Sequence, residues 1–294
     1  MDCDVDVVVA GGGPVGLMLA CELRLGGARV TVLERLPDVD PTIKGGAITT
    51  PCAEALYRRG MLPALAEVQR RTVDRFRAFI RAQDGGSGDG AAGGDGGQGL
   101  GIVGHFAGIM LRADLVDRTE PDLGDAGPAA EIAFVAQQDI ERLLGRRADV
   151  LGVDVRRGVE VTGFDPDGGA VTVRTSRGAI RAGWLVGCDG GRSTVRKHAG
   201  FAFPGTDPET TCHQAVVEMT GAEELKVGWT ATDTGVYAYG PMPGRIVTVE
   251  FGGPPADRDA PVTSADLQAR PRRVSGGARL AHNIDVIYHR RYGR

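Results

Sequence analysis

Apolar and polar positions follow two different periods in the opening residues of the chain. Val5–Ala10 is a β-branched apolar run, which is typical of a strand buried on both faces of a parallel sheet. Residues 14–25 have helical character, and Gly26 and Gly27 then provide a helix C-cap signal. Residues 29–34 (RVTVLE) are a second predicted strand. The pattern therefore predicts a strand, a glycine-rich turn, a helix and a second strand in succession.

Later segments mix both periods. Residues 53–70 are predicted to be helical with a break near Gly60 and Pro63, and residues 139–152 to form a further helix. Strand patterns, with one hairpin turning at residues 176–178, follow at residues 153–166, 170–175, 179–188, 213–220, 235–242 and 245–251. The last thirty residues show little periodicity. These patterns predict an α/β fold.

A glycine-dominated segment interrupts this order at residues 84–101 (DGGSGDGAAGGDGGQGLG). Because the segment cannot bury enough apolar surface to fix its backbone, it is predicted to be a flexible loop. Gly99, Gly101 and Gly104 have the spacing GxGxxG, but no strand precedes them, so a nucleotide site is not predicted there.

Length and composition narrow the function classes. The 294 residues predict about two domains, and an apolar fraction of 42% is enough for an ordinary core. The formal net charge is −4 and no Lys/Arg-rich run is present, which argues against nucleic acid or an anionic membrane as a partner. No uninterrupted run of ~18 apolar residues, as a transmembrane helix requires, is present. The oligomeric state is left open by these features.

The N-terminus and the cysteines predict a cytoplasmic location. Asp2, Asp4 and Asp6 stand where a secretory signal carries Lys or Arg. The five cysteines are odd in number and form no CxxC pair, which favours free thiols in a reducing compartment. The histidines form no HExxH or HxxxH pattern, so no metal site is predicted.

The turn after the first strand carries a GxGxxG pattern at Gly11, Gly13 and Gly16. Gly11 permits a tight turn, Gly13 lets a diphosphate approach the backbone, and Gly16 lets the helix pack closely on the strand. The N–H groups and dipole at the helix N-terminus favour phosphate. The pattern therefore predicts a dinucleotide site.

Glu34 ends the second predicted strand. A carboxylate at this position accepts hydrogen bonds from both ribose hydroxyls of an adenosine and repels a 2′-phosphate. The first nucleotide is therefore predicted to be the ADP half of FAD or of NAD, and not NADP.

Residues 184–196 (WLVGCDGGRSTVR) predict a strand that carries Asp189 to its carboxyl end. Gly190 and Gly191 turn the chain, and Ser193 is positioned to cap a helix that contains Arg196. The carboxyl end of a strand faces the ligand crevice in an open α/β sheet, so Asp189 is a candidate acceptor for ligand hydroxyls. A helix-capping role without a ligand is the alternative.

This stretch resembles the second fingerprint of the single-component FAD-dependent aromatic hydroxylases, the p-hydroxybenzoate hydroxylase type of group A flavoprotein monooxygenases. Residues 34–65 are similar to the subgroup that acts on polyketide-type aromatics, and residues 134–144 and 200–209 also resemble family segments. The resemblance covers residues 4–83 and 102–255, and it implies FAD as the cofactor.

The resemblance also implies site residues. Asp189 would contact the ribityl and diphosphate region of FAD, and Gln137 the flavin chain. Lys44 stands near the position where many members have an FAD-contacting arginine, and a lysine reaches a phosphate as a point charge. The predicted cofactor-binding residues are Gly11, Gly13, Pro14, Val15, Gly16, Glu34, Arg35, Lys44, Gln137, Asp189 and Gly190.

A Rossmann-like FAD-binding domain at residues 1–83 and 130–203 is implied, with a partial, mixed-sheet substrate domain at residues 102–129 and 204–294. The family's third fingerprint, Gly-Asp followed by Gly-Gln-Gly, is not found after residue 251; the GGQG at residues 96–99 lies in the glycine-rich loop. The chain is therefore expected to be truncated at its C-terminus.

The implied reaction is hydroxylation of a phenolic or polyketide-type aromatic substrate with NAD(P)H and dioxygen. The alternatives are a non-catalytic remnant and a related flavin-dependent reductase or halogenase, although Trp184 and Trp229 lie too far apart for the halogenase double-tryptophan motif. No catalytic acid or base is predicted. Tyr237, Tyr239 and His213 lie on predicted strands of the substrate domain and are candidates to line its cavity, with simple packing as the alternative.

Overall fold

A computed structural model of the chain divides into two compact units, one formed by residues 1–47 and 135–205 and the other by residues 48–134 and 206–294. The predicted flexible loop at residues 84–101 lies outside the described residues. The structure describes residues 3–41, 44–83, 102–106, 109–117, 119, 127–130, 132, 134–207, 209–220, 225, 227–240, 244–253, 263, 265, 266, 269, 270, 274 and 282–293.

Five helices and thirteen strands are assigned in these residues, besides a short 3₁₀ turn at Ala113–Leu115. The helices are α1 (Pro14–Leu25), α2 (Thr50–Tyr57), α3 (Leu62–Gln83), α4 (Gln137–Leu151) and α5 (Thr194–His198). The strands are β1 (Val5–Ala10), β2 (Val30–Glu34), β3 (Ile102–Phe106), β4 (Ile109–Arg112), β5 (Asp154–Arg157), β6 (Val161–Pro166), β7 (Val171–Thr175), β8 (Gly178–Gly187), β9 (Thr211–Thr220), β10 (Gly228–Thr232), β11 (Gly235–Tyr239), β12 (Arg245–Glu250) and β13 (His282–Gly293).

A six-stranded mixed sheet forms the centre of the first unit, in the order β5-β2-β1-β8-β7-β6. The strands β5, β2, β1 and β8 are parallel, while β7 and β6 continue the sheet in antiparallel pairings. The carboxyl ends of the four parallel strands meet at one edge of the sheet. We call this the binding edge, because ligands of open α/β sheets bind outside the carboxyl ends of the strands.

The helix α1 forms because Pro14 occupies its first turn and an apolar stripe follows. Leu17, Ala20 and Cys21 are fully buried, and α1 packs against α4, where the Cys21 thiol lies 4.0 Å from the Leu144 carbonyl oxygen. A second apolar cluster of the first unit contains Val8, Ala10, Leu33, Val159, Val161, Val171, Val173 and Ala182. The packing of α1 on α4 and this apolar cluster together hold in place the strand ends that form the binding edge.

The second unit contains a five-stranded sheet in the order β10-β11-β12-β9-β13, in which every pairing is antiparallel. It also contains the hairpin of β3 and β4. Phe79 of α3 packs edge-on against Tyr239 of β11, with ring centroids 5.6 Å apart. Both rings belong to a buried cluster with Ala215, Val217, Leu225, Tyr237, Ile246 and Val274.

The structure confirms the strand–turn–helix–strand order at the N-terminus, the break between α2 and α3, and the β7–β8 hairpin. The sheet of the second unit is antiparallel in all its described pairings rather than mixed, and the two residues between β10 and β11 allow only an antiparallel neighbour there. The sequence missed β3, β4, β10 and β13, and α3 continues to Gln83 beyond the predicted end. The compact division groups residues 48–83 with the second unit, and the assignment of these residues to an FAD-binding domain stays a prediction.

Candidate functional site

The turn after β1 requires glycine at two positions. Gly11 has φ +107°, and a Cβ there would lie 2.4 Å from the carbonyl oxygen of Cys188. At Gly16 a Cβ would lie only 1.9 Å from the carbonyl oxygen of Gly11. The first turn of α1 therefore packs directly against the backbone that leaves β1, which only glycine permits.

The N-terminus of α1 is open. Gly13 is the N-cap residue of α1 and makes no side-chain hydrogen bond to the helix. A Cβ added to Gly13 would have no other atom within 4 Å. Pro14 is the first helical residue, and Val15 is 72% exposed. The backbone at Gly13 is thus reachable by a ligand, and the dipole of the twelve-residue helix favours an anion at this end.

The Glu34 carboxylate is hydrogen-bonded to this turn. Its Oε2 accepts a hydrogen bond from the backbone N–H of Gly12 at 2.7 Å, and its Oε1 accepts one from the N–H of Leu36 at 2.9 Å. Gly12 was missed by the sequence analysis, although it lies between the first two glycines of the motif; a Cβ there would approach the Glu34 Cβ to 2.8 Å. Arg35 follows as an exposed residue. The carboxylate is therefore held beside the open turn with acceptor sites to spare.

The loop that carries Lys44 is tied to the start of α4. The backbone N–H of Gln137 donates to the Gly45 carbonyl at 3.0 Å, and the Gln138 side-chain amide donates to the Pro41 carbonyl at 3.3 Å. Lys44 Nζ lies 2.7 Å from Asp40 Oδ2, so its ammonium group is paired within the loop. The structure thus places Lys44 and Gln137 in the same unit, on two segments that hydrogen-bond to each other, and their contact with FAD stays a prediction.

Asp189 follows β8 and caps α5. Its Oδ1 accepts a hydrogen bond from Ser193 Oγ at 2.5 Å, and its Oδ2 accepts from the N–H groups of Thr194 at 2.6 Å and Val195 at 3.2 Å. Gly190 turns the chain with φ +82°. Asp189 therefore makes the helix-capping contacts that are the alternative to ligand binding. It lies at the carboxyl end of β8, and its contact with a ligand stays a prediction.

The rest of this motif is also ordered. Ser193 Oγ accepts a hydrogen bond from the N–H of Arg196 at 2.9 Å, which confirms the predicted N-cap. The Arg196 side chain donates to the Gly191 carbonyl at 2.8 Å and lies 4.3 Å from the centroid of the Phe203 ring. A guanidinium over an aromatic face is attracted by the ring quadrupole.

Two charged residues that the sequence analysis missed lie at the same edge. Glu141, on the second turn of α4, is 7% exposed at its side chain and accepts a hydrogen bond from Arg157 Nη2 at 3.0 Å. Burial raises the pKa of the Glu141 carboxyl above its ordinary 4.5. The positive charges of Arg157 and Lys44 lower this pKa, and the negative charge of Glu34 raises it further. The sequence did not single out Glu141 and Arg157, because most Glu and Arg residues are solvent-exposed and their charge by itself does not indicate a buried pair.

The candidate cavity residues belong to the second unit. Tyr237 and Tyr239 lie on β11 within the buried cluster around Phe79, at 7% and 3% exposure. His213 lies on β9 and is 2% exposed. Packing contacts account for the two tyrosine rings here, and a role in lining a substrate cavity stays a prediction.

The binding edge suits the ADP half of FAD. The open backbone of Gly13 at a helix N-terminus suits a diphosphate, and the fixed Glu34 carboxylate suits a ribose with free hydroxyls. In the portion of the chain that the structure covers, no three or more His, Cys, Asp or Glu residues are grouped to hold a metal ion. None of the described helices combines the length and apolar content needed to span a bilayer.

Comparisons with known proteins agree with this geometry. A monooxygenase of Claviceps purpurea (strain 20.1) is 37% identical over 287 residues, which are 96% of this chain and 52% of that protein. The 12-dehydrotetracycline 5-monooxygenase/anhydrotetracycline 6-monooxygenase of Streptomyces rimosus is 33% identical over 303 residues, which are 95% of this chain and 52% of that protein. The chain spans about half the length of the curated relatives it matches.

Solved structures agree as well. A Diels-Alderase of pyrroindomycin biosynthesis superposes with a TM-score of 0.75 at 30% identity, over 98% of this chain and 55% of that one. A protein-family model described as an FAD binding domain matches residues 4–291, which is nearly the whole sequence and includes every residue of the binding edge. The chain therefore belongs to the FAD-binding domain family.

Proposed function

We propose that this chain forms the cofactor-binding part of an FAD-dependent monooxygenase that hydroxylates a phenolic or polyketide-type aromatic substrate with NAD(P)H and dioxygen. The observation that carries the proposal is the open backbone of Gly13 at the start of α1, next to the Glu34 carboxylate, which accepts a 2.7 Å hydrogen bond from the N–H of Gly12. Relatives named as monooxygenases, one of which is named for 12-dehydrotetracycline and anhydrotetracycline, support it.

In this proposal the residues of the binding edge have separate roles. The N–H groups at the start of α1 hold the diphosphate, and Glu34 accepts hydrogen bonds from the ribose hydroxyls. Lys44 contributes a positive charge from the adjoining loop, where Asp40 partly neutralises it. FAD, when bound, supplies the redox chemistry by which NAD(P)H and dioxygen are used.

Asp189 has a double role in the proposal. Its three hydrogen bonds to the start of α5 fix the carboxylate at the end of β8. An ionised carboxylate offers about four acceptor sites, so one more hydroxyl, from the ribityl chain, is accommodated. Gln137 and Gly190 complete this side of the proposed FAD site, and Arg35, Pro14 and Val15 its outer rim.

We place the activity in the cytoplasm, with a small aromatic molecule and dioxygen as partners and without nucleic acid or membrane. A net charge of −4 and the lack of a Lys/Arg-rich run support this view. The proposed domain arrangement assigns residues 1–83 and 130–203 to FAD and residues 102–129 and 204–294 to part of the substrate domain.

The proposal is tested by titrating the purified chain with FAD and monitoring binding by flavin fluorescence. Gly13→Ala should weaken FAD binding about tenfold or more, because the methyl group enters the space through which the diphosphate approaches the backbone. The matched control is Gly145→Ala on α4, where an added Cβ also meets no other atom within 4 Å. This control should bind FAD like the parent chain.

A parent chain that stays colourless and binds no added FAD would instead support the non-catalytic remnant. If FAD binds, NAD(P)H oxidation stimulated by a polycyclic phenol, with formation of the hydroxylated product, distinguishes the monooxygenase from a flavin-dependent reductase, which needs no phenol.

A second candidate is cyclisation without net oxidation. It is favoured by the TM-score of 0.75 to a Diels-Alderase. In that case, the chain would bind FAD but consume neither NAD(P)H nor dioxygen with a phenol present.

A further inference from the structure

A carboxyl group with little access to water lies behind the binding edge. The side chain of Glu141 on α4 is 7% exposed, and its Oε1 accepts a hydrogen bond from Arg157 Nη2 at 3.0 Å. Arg157 ends β5 and is the register partner of Glu34 in the parallel β2–β5 pair. Glu34 in turn accepts the 2.7 Å hydrogen bond from the N–H of Gly12, next to the open backbone of Gly13. Glu141 is therefore linked to the diphosphate end of the binding edge through Arg157 and Glu34, although it does not touch a ligand itself.

The charged groups around Glu141 do not balance. Arg157 from β5, Glu34 from β2 and Lys44 from the loop after β2 act on its carboxyl. Lys44 Nζ also lies 2.7 Å from Asp40 Oδ2. When all five side chains are ionised, the three carboxylates outnumber the two cations, which leaves one negative charge in excess. The fold therefore holds a buried carboxylate in surroundings that do not fully neutralise it.

The neighbouring groups of α1 and α4 have other partners. On α4, Asp139 pairs with Arg142 at 3.0 Å. On α1, the Cys21 thiol lies 4.0 Å from a carbonyl oxygen further along α4, and Arg24 donates to the last carbonyl group of α4 at 3.0 Å. Within the described part of the chain, the groups that act on Glu141 are therefore those of β5, β2 and the loop after β2.

A bound dinucleotide brings further negative charge to this edge, because its diphosphate is an anion. Charges about 10 Å apart in a protein with an effective dielectric constant of about 20 change a protonation equilibrium about tenfold. The added charge therefore favours the neutral form of Glu141, since burial already disfavours its ionised form.

We propose that Glu141 takes up a proton from the solvent when a dinucleotide binds at the binding edge, so that FAD affinity depends on pH through this carboxyl. The inference rests on the proposed FAD site and adds a means of regulating it. A neutral Glu141 still accepts the hydrogen bond from Arg157, and the guanidinium charge is then left to attract Glu34 and the diphosphate.

The direction of the pH dependence follows from linkage. A proton that is held more tightly in the complex than in the free chain strengthens ligand binding, and the ligand strengthens proton binding by the same factor. FAD affinity should therefore be highest at low pH and fall as the pH rises through the pKa of Glu141, which burial places above 4.5. The whole fall should be about fivefold to tenfold.

The test is FAD titration of the purified chain between about pH 5 and about pH 8, monitored by flavin fluorescence. FAD is used because the terminal phosphate of ADP itself titrates near about pH 6. Calorimetry of the same titration in two buffers of different ionisation enthalpy measures proton uptake in the parent chain directly, without a substitution. Uptake should be largest where the affinity changes most steeply with pH.

Glu141→Gln is neutral at every pH and keeps an acceptor oxygen for Arg157. It should bind FAD with an affinity that does not change over this range, and without proton uptake. The matched control is Asp149→Asn, the same carboxyl-to-amide change at an exposed position near the end of α4, and it should keep the pH dependence of the parent chain. Circular dichroism and thermal unfolding establish that each variant is folded at every pH used.

The outcomes separate the two proposals. A parent chain that binds no FAD at any pH would refute the proposed function. A parent chain that binds FAD with constant affinity and takes up no proton would refute the coupling alone. A pH dependence that persists unchanged in Glu141→Gln would assign the proton to another group and refute the role of Glu141.

Discussion

At the scale of single residues, each glycine of the first turn meets a different physical demand. Gly11 needs a positive φ and room beside Cys188, while Gly16 needs room beside the Gly11 carbonyl. Gly13 has φ −75° and open surroundings, so a side chain is tolerated by the fold and excluded only by a ligand. The spacing of the glycines predicted all three, because these demands are local to the turn.

At the residue scale, the titration of Glu141 predicts how the free energy of unfolding depends on pH. Its pKa is raised above 4.5 by burial, so between pH 4.5 and the raised pKa the folded chain holds a proton that the unfolded chain has lost. The contribution of this group to the free energy of unfolding is therefore fully present below pH 4.5 and is lost as the pH rises through the raised pKa.

The measurement is urea unfolding across this pH range for the parent chain and Glu141→Gln, whose side chain does not titrate. The stability of the parent relative to the variant should fall as the pH rises and then level off. A difference between the two proteins that stays constant, or that grows with pH, would contradict the raised pKa.

At the scale of elements, α1 is stabilised by packing on one side and left open at its N-terminus. Leu17 is fully buried, whereas Val15, two residues earlier, is 72% exposed. Leu17→Ala should lower the free energy of unfolding by about 2–5 kcal/mol, through lost burial and the cavity left behind. Val15→Ala on the same helix should change it by less than about 0.5 kcal/mol. Denaturant unfolding of both variants measures the contrast, and equal costs would show that α1 is not anchored as described.

Elements also show where sequence patterns fail. The strand β13 has little alternation in its sequence, yet it pairs with β9 from His282 to Gly293. The short strand β10 is likewise defined by its pairing with β11. Strand formation depends on the neighbour that supplies hydrogen bonds, and no local pattern reports that neighbour. The helix α1 was predicted well because its signals, Pro14 in its first turn and Gly26 directly after its last residue, are local in the sequence.

At the scale of the whole molecule, ligand binding should be visible as stability. A ligand that binds only the folded state at a concentration of 100 times its Kd raises the free energy of unfolding by about 2.7 kcal/mol. FAD or ADP should therefore raise the thermal midpoint of the chain, and the shift should shrink for Gly13→Ala at the same ligand concentration. An equal shift in both proteins would mean that the ligand binds away from α1.

The sequence by itself determined the glycine turn, the acidic end of β2 and the capped Asp-Gly motif, since each depends on residues close together in the chain. The tertiary structure alone decided that Glu141 and Arg157 form a largely buried pair next to Glu34. This relation joins α4, β5 and β2, and it arises from strand order and helix packing, which no local spacing encodes.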